Sequence, residues 1–362
     1  MSFAFNFEED FSDNEREAAT VDAFNNPLDV VQIDPKRLPK VEDIGILLKT
    51  LVGHRVSYSP SSIGEATVYR RELYDVKHQL MLEDDSQDKE EFDILIGDTP
   101  EDLRNGIYEG GLKSWECSFD TIERLNQMND SLLFGNKSEE PHNILELGCG
   151  TALPSCHLFP RLFHEKPREK PVSLILSDYN ASVLRLVTLP NLLINWALTL
   201  DSNVREELQR KTPDEEPVIR DEELEVTQAL TDSFVNALLS NNISVQLVSG
   251  SWGRQFLDVL DVQYSGSGLI ISSETIYSPQ TLPIVAETIL ELLHKIRNKE
   301  SCCALVAAKE IYFGVGGSVG EFLRYLEDRL HVTMGPYTDV VYDVQTINAN
   351  LKRCIVFIQD SS

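Results

Sequence analysis

The chain has 362 residues, 42% hydrophobic and 25% charged, with 59 Asp and Glu against 32 Lys and Arg for a formal net charge of −27. It can bury a large core as one enlarged catalytic domain or two ordinary ones, and it holds no apolar run long enough to cross a bilayer, so no membrane partner is expected. The acidic field repels naked nucleic acid and favours encounter with a basic protein, although solubility alone would also account for it.

Residues 1–40 read as a disordered acidic tail. Glu8, Glu9, Asp10, Asp13, Glu15, Glu17 and Asp22 surround phenylalanines at 3, 5, 7 and 11, and the start MSFAFNFEED offers neither the positive charge nor the apolar run of a secretion signal. Residues 41–105 read as an extension leading into the core. Helical spacing runs over 41–51, mixed signals over 68–82, and ten acids with one lysine over 83–102 mark an exposed connection. From 106 to 362 the pattern alternates. Strand-like runs at 143–147, 172–176, 243–248, 268–272, 302–308 and 353–358 are separated by helical spacing at 116–133, 181–200, 281–297 and 318–330. This predicts an α/β domain with an open, mostly parallel sheet and helices on both faces. The stretch 201–240 is too polar for a simple connection; Leu224, Val226, Ala229, Leu230, Phe234, Ala237 and Leu238 are spaced as an added helix after a charged loop.

Six cysteines at 117, 149, 156, 302, 303 and 354 lie mostly in apolar runs without a Cys-x-x-Cys pair, the habit of buried thiols in a reducing compartment. A monomer in the cytoplasm, with the nucleus as a second compartment, is the expectation. The seven histidines show no ligand spacing, so no metal is expected.

The run NILELGCGTALP at 143–154 carries most of the chemistry. A strand delivers Glu146 just before Gly148 and Gly150, where the backbone can turn tightly against a ligand. The next strand ends in Asp178, placed to accept hydrogen bonds from ribose hydroxyls. A dinucleotide site could use this layout, but Ala152 and Leu153 do not restore the last glycine of the Gly-x-Gly-x-x-Gly pattern. A carboxylate at Glu146 would also repel a pyrophosphate and suit a cationic sulfonium or ammonium group. A structural glycine turn is the remaining alternative. The fourth strand runs into Glu274-Thr-Ile-Tyr277, so Glu274 and Tyr277 would be presented in the same crevice.

With these elements in register, the sequence resembles a class I, seven-stranded Rossmann-like methyltransferase, which implies S-adenosylmethionine as cofactor. The resemblance implies cofactor contacts from Trp115, Glu146, Gly148, Cys149, Gly150, Asp178, Asn180, Ser251, Trp252 and Ser273, with core packing the alternative for Trp252. It also implies that Asn191 and Asn195, four apart on one helical face, support the cofactor loops. The Glu-x-x-Tyr stretch resembles the Asp/Glu-x-x-Tyr motif of protein-modifying, mainly lysine-directed, members. The segments RRELYDVKHQLMLE, GDTPEDLRNGIYEGGLKSWEC, LPNLLINWA, SSETIY and AAKEIYFGVGGS more closely resemble eukaryotic, fungal protein-histidine N-methyltransferases that modify a large-subunit ribosomal protein. That likeness implies catalytic Glu274 and Tyr277 and substrate contacts from Lys113, Trp115, Tyr277 and Gly316, although Lys113 could simply be solvated and the glycines at 314–317 a structural turn. It implies a basic protein substrate and no direct nucleic acid substrate. Lysine methylation and non-catalytic binding are the competing readings.

Overall fold

The computed structural model describes residues 25–82, 104, 107–135, 140–163, 169–212, 219–296, 302–332 and 335–360. Its strands are, in chain order, β1 (Lys40–Glu42), β2 (Arg55–Ile63), β3 (Ala66–Arg71), β4 (His142–Leu147), β5 (Val172–Asp178), β6 (Glu223–Glu225), β7 (Ile243–Ser249), β8 (Ser267–Ser273), β9 (Cys302–Lys309), β10 (Val340–Ile347) and β11 (Arg353–Asp360). Eight form one sheet in the order β1-β7-β5-β4-β8-β9-β11-β10, and a second sheet runs β3-β2-β6. The ladders joining β7, β5, β4, β8 and β9 are parallel.

Strands covered on both faces carry apolar residues at successive positions, and side-chain alternation assigns them to opposite cores. Ile144, Leu174, Leu176, Leu269, Ile271 and Leu305 face one core, completed by Ile122, Leu193 and Phe234 from helices Glu116–Asn126, Leu189–Ala197 and Gln228–Ser240. Leu145, Leu147, Ile175, Ile270 and Val306 face the other, against Phe256, Ile289 and Phe322 from helices Arg254–Val259, Leu282–Lys295 and Val319–Leu330. Each such side chain removed from water contributes about 1.5–3 kcal/mol. All six cysteines are free and buried.

The sheet corrects the expectation of seven mostly parallel strands: it has eight and is mixed. Three ladders are antiparallel, those of β1 with β7, β11 with β9 and β10 with β11. The short β1 pairs the edge that β7 would otherwise expose. Tyr58 and Tyr69 stack edge-to-face across the small sheet, whose β6 holds Leu224, a position read as the start of the added helix. The expected added helix follows it at Gln228–Ser240.

Residues 25–40 also depart from the reading of a tail. Leu28 is 2% exposed and packs in the second core. Asn26 Nδ2 donates to Glu291 Oε1 at 3.0 Å, and Arg254 pairs with Asp29 at 2.7 Å and Glu291 at 2.6 Å. Composition averaged over forty residues concealed this local anchor. Residues 1–24 and the acidic connection at 83–102 lie outside the described residues. Among the described residues, no helix is long and apolar enough to cross a membrane.

The helix Leu189–Ala197 ties the small sheet to the loop after β4. Asn191 Oδ1 accepts from Arg71 N–H at 2.7 Å while its Nδ2 donates to the Thr151 carbonyl at 2.8 Å. Asn195 instead clasps β3, accepting from Tyr69 N–H at 3.0 Å and donating to its carbonyl at 2.6 Å. Replacing Asn191 with Ala would leave two buried backbone groups unpaired, at a cost of roughly 2–4 kcal/mol. Urea unfolding should show a lower midpoint at unchanged slope; an unmoved midpoint would contradict this role.

A candidate methyl-donor and acceptor site

The carboxyl ends of the parallel strands open on one crevice, where an open α/β sheet places its ligands. A cavity of about 310 Å³ lies there, within the size range of small-ligand sites, about 300–1,000 Å³. Its walls include Lys113, Trp115, Glu146, Gly148, Cys149, Gly150, Asp178, Ser251, Trp252, Ser273, Glu274 and Tyr277. Two of the residues anticipated from sequence, Asn180 and Gly316, are not among them.

After β4 the chain turns through Gly148 at φ +65° and Gly150 at φ +50°. A Cβ on Gly150 would stand 3.0 Å from the Gly111 carbonyl oxygen, and one on Gly148 would stand 2.6 Å from Thr275 Cγ2. The helix Leu153–Leu158 follows, with Pro154 in its first turn, where a missing N–H costs nothing. Ser155 donates to Glu146 Oε2 through its N–H at 3.0 Å and through its hydroxyl. Burial outweighs both bonds and pushes the Glu146 carboxyl from 4.5 up to about 7. A cation in the cavity would draw it down again.

Asp178 Oδ2 accepts from Gly150 N–H at 2.9 Å and Oδ1 from Asn180 N–H at 3.1 Å. An ionised carboxylate has about four acceptor positions, the chemistry that ribose hydroxyls call for. Asn180 is buried behind this wall rather than in it. Its Oδ1 accepts from Glu109 N–H at 3.2 Å and its Nδ2 donates to the Ile107 carbonyl at 2.7 Å, so it places the segment that carries Glu109. A π-helical turn over Leu184–Thr188 presents the Thr188 hydroxyl to the Gly150 carbonyl at 2.6 Å. Burial, with Asp178 and Glu146 nearby, pushes the Cys149 thiol well above its ordinary value.

At the far end of the donor half, Ser251 N–H donates to the Arg37 carbonyl at 2.8 Å. Trp252 Nε1 is buried without a hydrogen-bond partner. Val31, Gln32 and Ile33 complete this wall. They come from the segment read as a tail, so no local signal marked them.

The other half begins where β8 ends. Glu274 occupies left-handed backbone space at φ +61°, a strained conformation of the kind that clusters at functional sites. Its N–H donates to the Ala307 carbonyl at 2.8 Å. Glu274 Oε1 lies 3.4 Å from Cys117 N–H and 3.6 Å from Lys309 Nζ, and its side chain is 8% exposed. Trp115 Nε1 donates to the Gly110 carbonyl at 3.2 Å. Ser273 and Thr121 hydroxyls meet at 3.0 Å. The Tyr277 hydroxyl donates to the Glu109 carboxylate; burial, with Glu109 beside it, pushes that hydroxyl far above its ordinary value.

Sequence reading named neither Glu109 nor Lys309 as a site residue. Lys309 ends β9, so the strand-end reasoning applied to Glu274 could have found it. Glu109 stands just before Gly110-Gly111, where a loop can approach a ligand. Gly316 was expected to meet substrate but lies in an exposed turn outside the cavity, beside Pro279. The close backbone approach belongs to Gly317, whose N–H donates to the Tyr277 carbonyl at 2.8 Å. Among the described residues no side-chain group could hold a metal ion.

Four acids, two tryptophans and an unpartnered indole N–H suit a ligand with a flat heterocycle and cationic groups, which are the features of S-adenosylmethionine. Fold and site together define an α/β protein of the class I S-adenosylmethionine-dependent methyltransferase type. The chain is 43% identical over 381 residues to histidine protein methyltransferase 1 of Saccharomyces cerevisiae, across 99% of this chain and 98% of that one. It is 33% identical to the Schizosaccharomyces pombe protein of the same name, across 76% of each. The chain belongs to the histidine protein methyltransferase 1 family, S-adenosylmethionine-dependent enzymes. A Bos taurus homologue is 32% identical across 70% of this chain and 56% of its own length. No protein-family model matches the chain. A solved putative class I methyltransferase from Listeria monocytogenes aligns at 11% identity with a TM-score of 0.37, over 80% of this chain and 69% of its own.

The raised Glu146 pKa gives a signed prediction. In ligand-free protein its ionisation costs stability as pH rises from 4.5 through about 7; a bound cation favours the ionised form. Calorimetry from about pH 6 to about 7.5 should therefore show S-adenosylmethionine affinity rising by up to about eightfold. Glu146→Gln should flatten the rise. Equal profiles for the two proteins would remove Glu146 from donor binding.

Proposed function

We propose that this enzyme methylates a histidine imidazole nitrogen in a basic protein, a ribosomal protein of the large subunit, with Glu274 and Tyr277 at the acceptor. The observation that carries the site assignment is the strained, buried Glu274 at the end of β8, in one cavity with the Glu146 and Asp178 loops. The net charge of −27 favours a basic partner. Cytoplasm and nucleus are the compartments proposed for it.

S-adenosylmethionine, when bound, supplies an electrophilic methyl group on a sulfonium. Glu146 and Asp178 hold the donor half, and Trp252 borders its heterocycle. A free imidazole, with pKa about 6.5, is mostly neutral near neutral pH and has one nitrogen lone pair available. Glu274 accepts the hydrogen bond of the other ring N–H and so selects the reactive tautomer. Tyr277, tied to Glu109, fixes the acceptor wall, leaving alignment as the main remaining requirement.

Glu274→Gln should lower kcat by roughly a hundredfold with little change in cofactor affinity, as expected for loss of an orienting group acting in the transition state. Tyr277→Phe should lower it less. Single-turnover kinetics and calorimetry separate these effects, and unchanged turnover in both variants would sink the assignment. Labelled-methyl transfer into extracts of cells lacking the enzyme, followed by mass spectrometric localisation, tests the substrate. A label on lysine, or on a protein outside the ribosome, would refute it.

A further inference from the structure

Lys309 stands where the charge of the acceptor is decided. Its Nζ lies 3.6 Å from Glu274 Oε1 and 3.0 Å from Glu116 Oε2, and 5.2 Å from the centre of the Trp115 ring. Its side chain is 16% exposed, so water screens these interactions weakly. Glu274 and Trp115 both line the cavity.

We infer that Lys309 is a specificity-determining residue: its ammonium offsets the Glu274 carboxylate, so that the acceptor end holds a neutral imidazole and rejects a lysine ammonium. The inference rests on Glu274 facing the acceptor, as proposed above. A lone buried carboxylate beside an imidazole favours the imidazolium, whose nitrogens have no lone pair for attack. With Lys309 at ion-pair distance, Glu274 can still accept an N–H while the local field stays close to neutral.

A lysine acceptor is penalised by either route. As an ammonium it faces a Glu274 carboxylate whose charge is already offset by Lys309, which stands behind Glu274 and Trp115 rather than in the cavity lining. As a free amine it is only about one part in a thousand of the population near neutral pH, given a pKa about 10.4. Neutral imidazole pays neither penalty.

Other charged and titratable groups surround this pair, and Lys113 lines the same cavity. From the helix Glu116–Asn126, Glu116 is 53% exposed and Asp120 is bonded to Arg353 of β11 at 3.0 Å. Burial, with Glu274 beside each, raises the Cys117 thiol and the Tyr312 hydroxyl far above their ordinary values and keeps both neutral. Across the cavity, Glu109 accepts from Tyr277. Burial alone would lower the Lys309 pKa, but Glu274 and Glu116 more than reverse that and keep it charged.

The test uses the full chain with S-adenosylhomocysteine and a peptide carrying the acceptor histidine of the substrate found by the labelling experiment. NMR titration of the bound imidazole should give a pKa at or below that of the free peptide; a higher bound value overturns the proposal. In Lys309→Met the acid limb of the kcat profile, which reports groups in the enzyme–substrate complex, should move up by about one pH unit, while Lys309→Arg, which keeps the charge, should stay with the unaltered enzyme. The same peptide with lysine for histidine should bind Lys309→Met about tenfold more tightly than the unaltered protein. An unmoved limb or equal binding in folded Lys309→Met overturns it. Should that variant not fold, the titration with unaltered protein decides. Failure of the unaltered enzyme to methylate histidine at all would overturn the functional reading itself, a result distinct from the others.

Discussion

The site depends on two backbones passing each other with no room for side chains. Gly150, in the turn after β4, lies against Gly111, and a Cβ on Gly111 would stand 2.8 Å from Val183 and 3.1 Å from Asp178 Oδ2. Asp178 locks the contact by accepting from Gly150 N–H. The donor loop is thereby held against the segment 109–115, which also carries Glu109 to Tyr277 and Trp115 to Lys309. Separating the two glycines by one methyl group would move both halves of the cavity apart.

Four carboxylates meet around this cavity, and each is compensated differently. Ser155 serves Glu146, backbone amides serve Asp178, and the Tyr277 hydroxyl serves Glu109. Glu274 lies 3.6 Å from the Lys309 ammonium, within ion-pair distance. Ser155 satisfies lone pairs of Glu146 without cancelling its charge, so that carboxylate suits a cationic ligand. The acceptor end, with its ion pair, suits a neutral base. One crevice can thus attract a sulfonium and still leave an imidazole unprotonated.

The central strands were legible in the sequence because burial on both faces demands unbroken apolar runs, as in Leu174-Ile175-Leu176 and Leu269-Ile270-Ile271. β10 was not, since it lies at the sheet edge and mixes polar with apolar positions. The Glu146 loop, Asp178 and the Glu274-to-Tyr277 stretch were readable because each follows directly on a strand. Asn180 does not line the cavity: its neighbour Asp178 does, whereas the Asn180 side chain holds residues 107 and 109. Gly316 and Gly317 cannot be told apart by type, and only packing against Tyr277 selects the second.

By itself the sequence determined the α/β alternation, the glycine turn and the acids at strand ends, because these follow from local periodicity and from residue types with few conformational alternatives. Its family likeness supplied the histidine acceptor. Tertiary structure decided which residues far apart in sequence meet: Val31 and Ile33 with Gly253, Glu109 with Tyr277, and Lys309 with Glu274 and Trp115. Such meetings depend on how strands are ordered and helices docked, and no local pattern encodes the distance between a charge on β9 and one at the end of β8. The identity of the ligands was written locally, whereas the electrostatic balance between them existed only after the chain had folded.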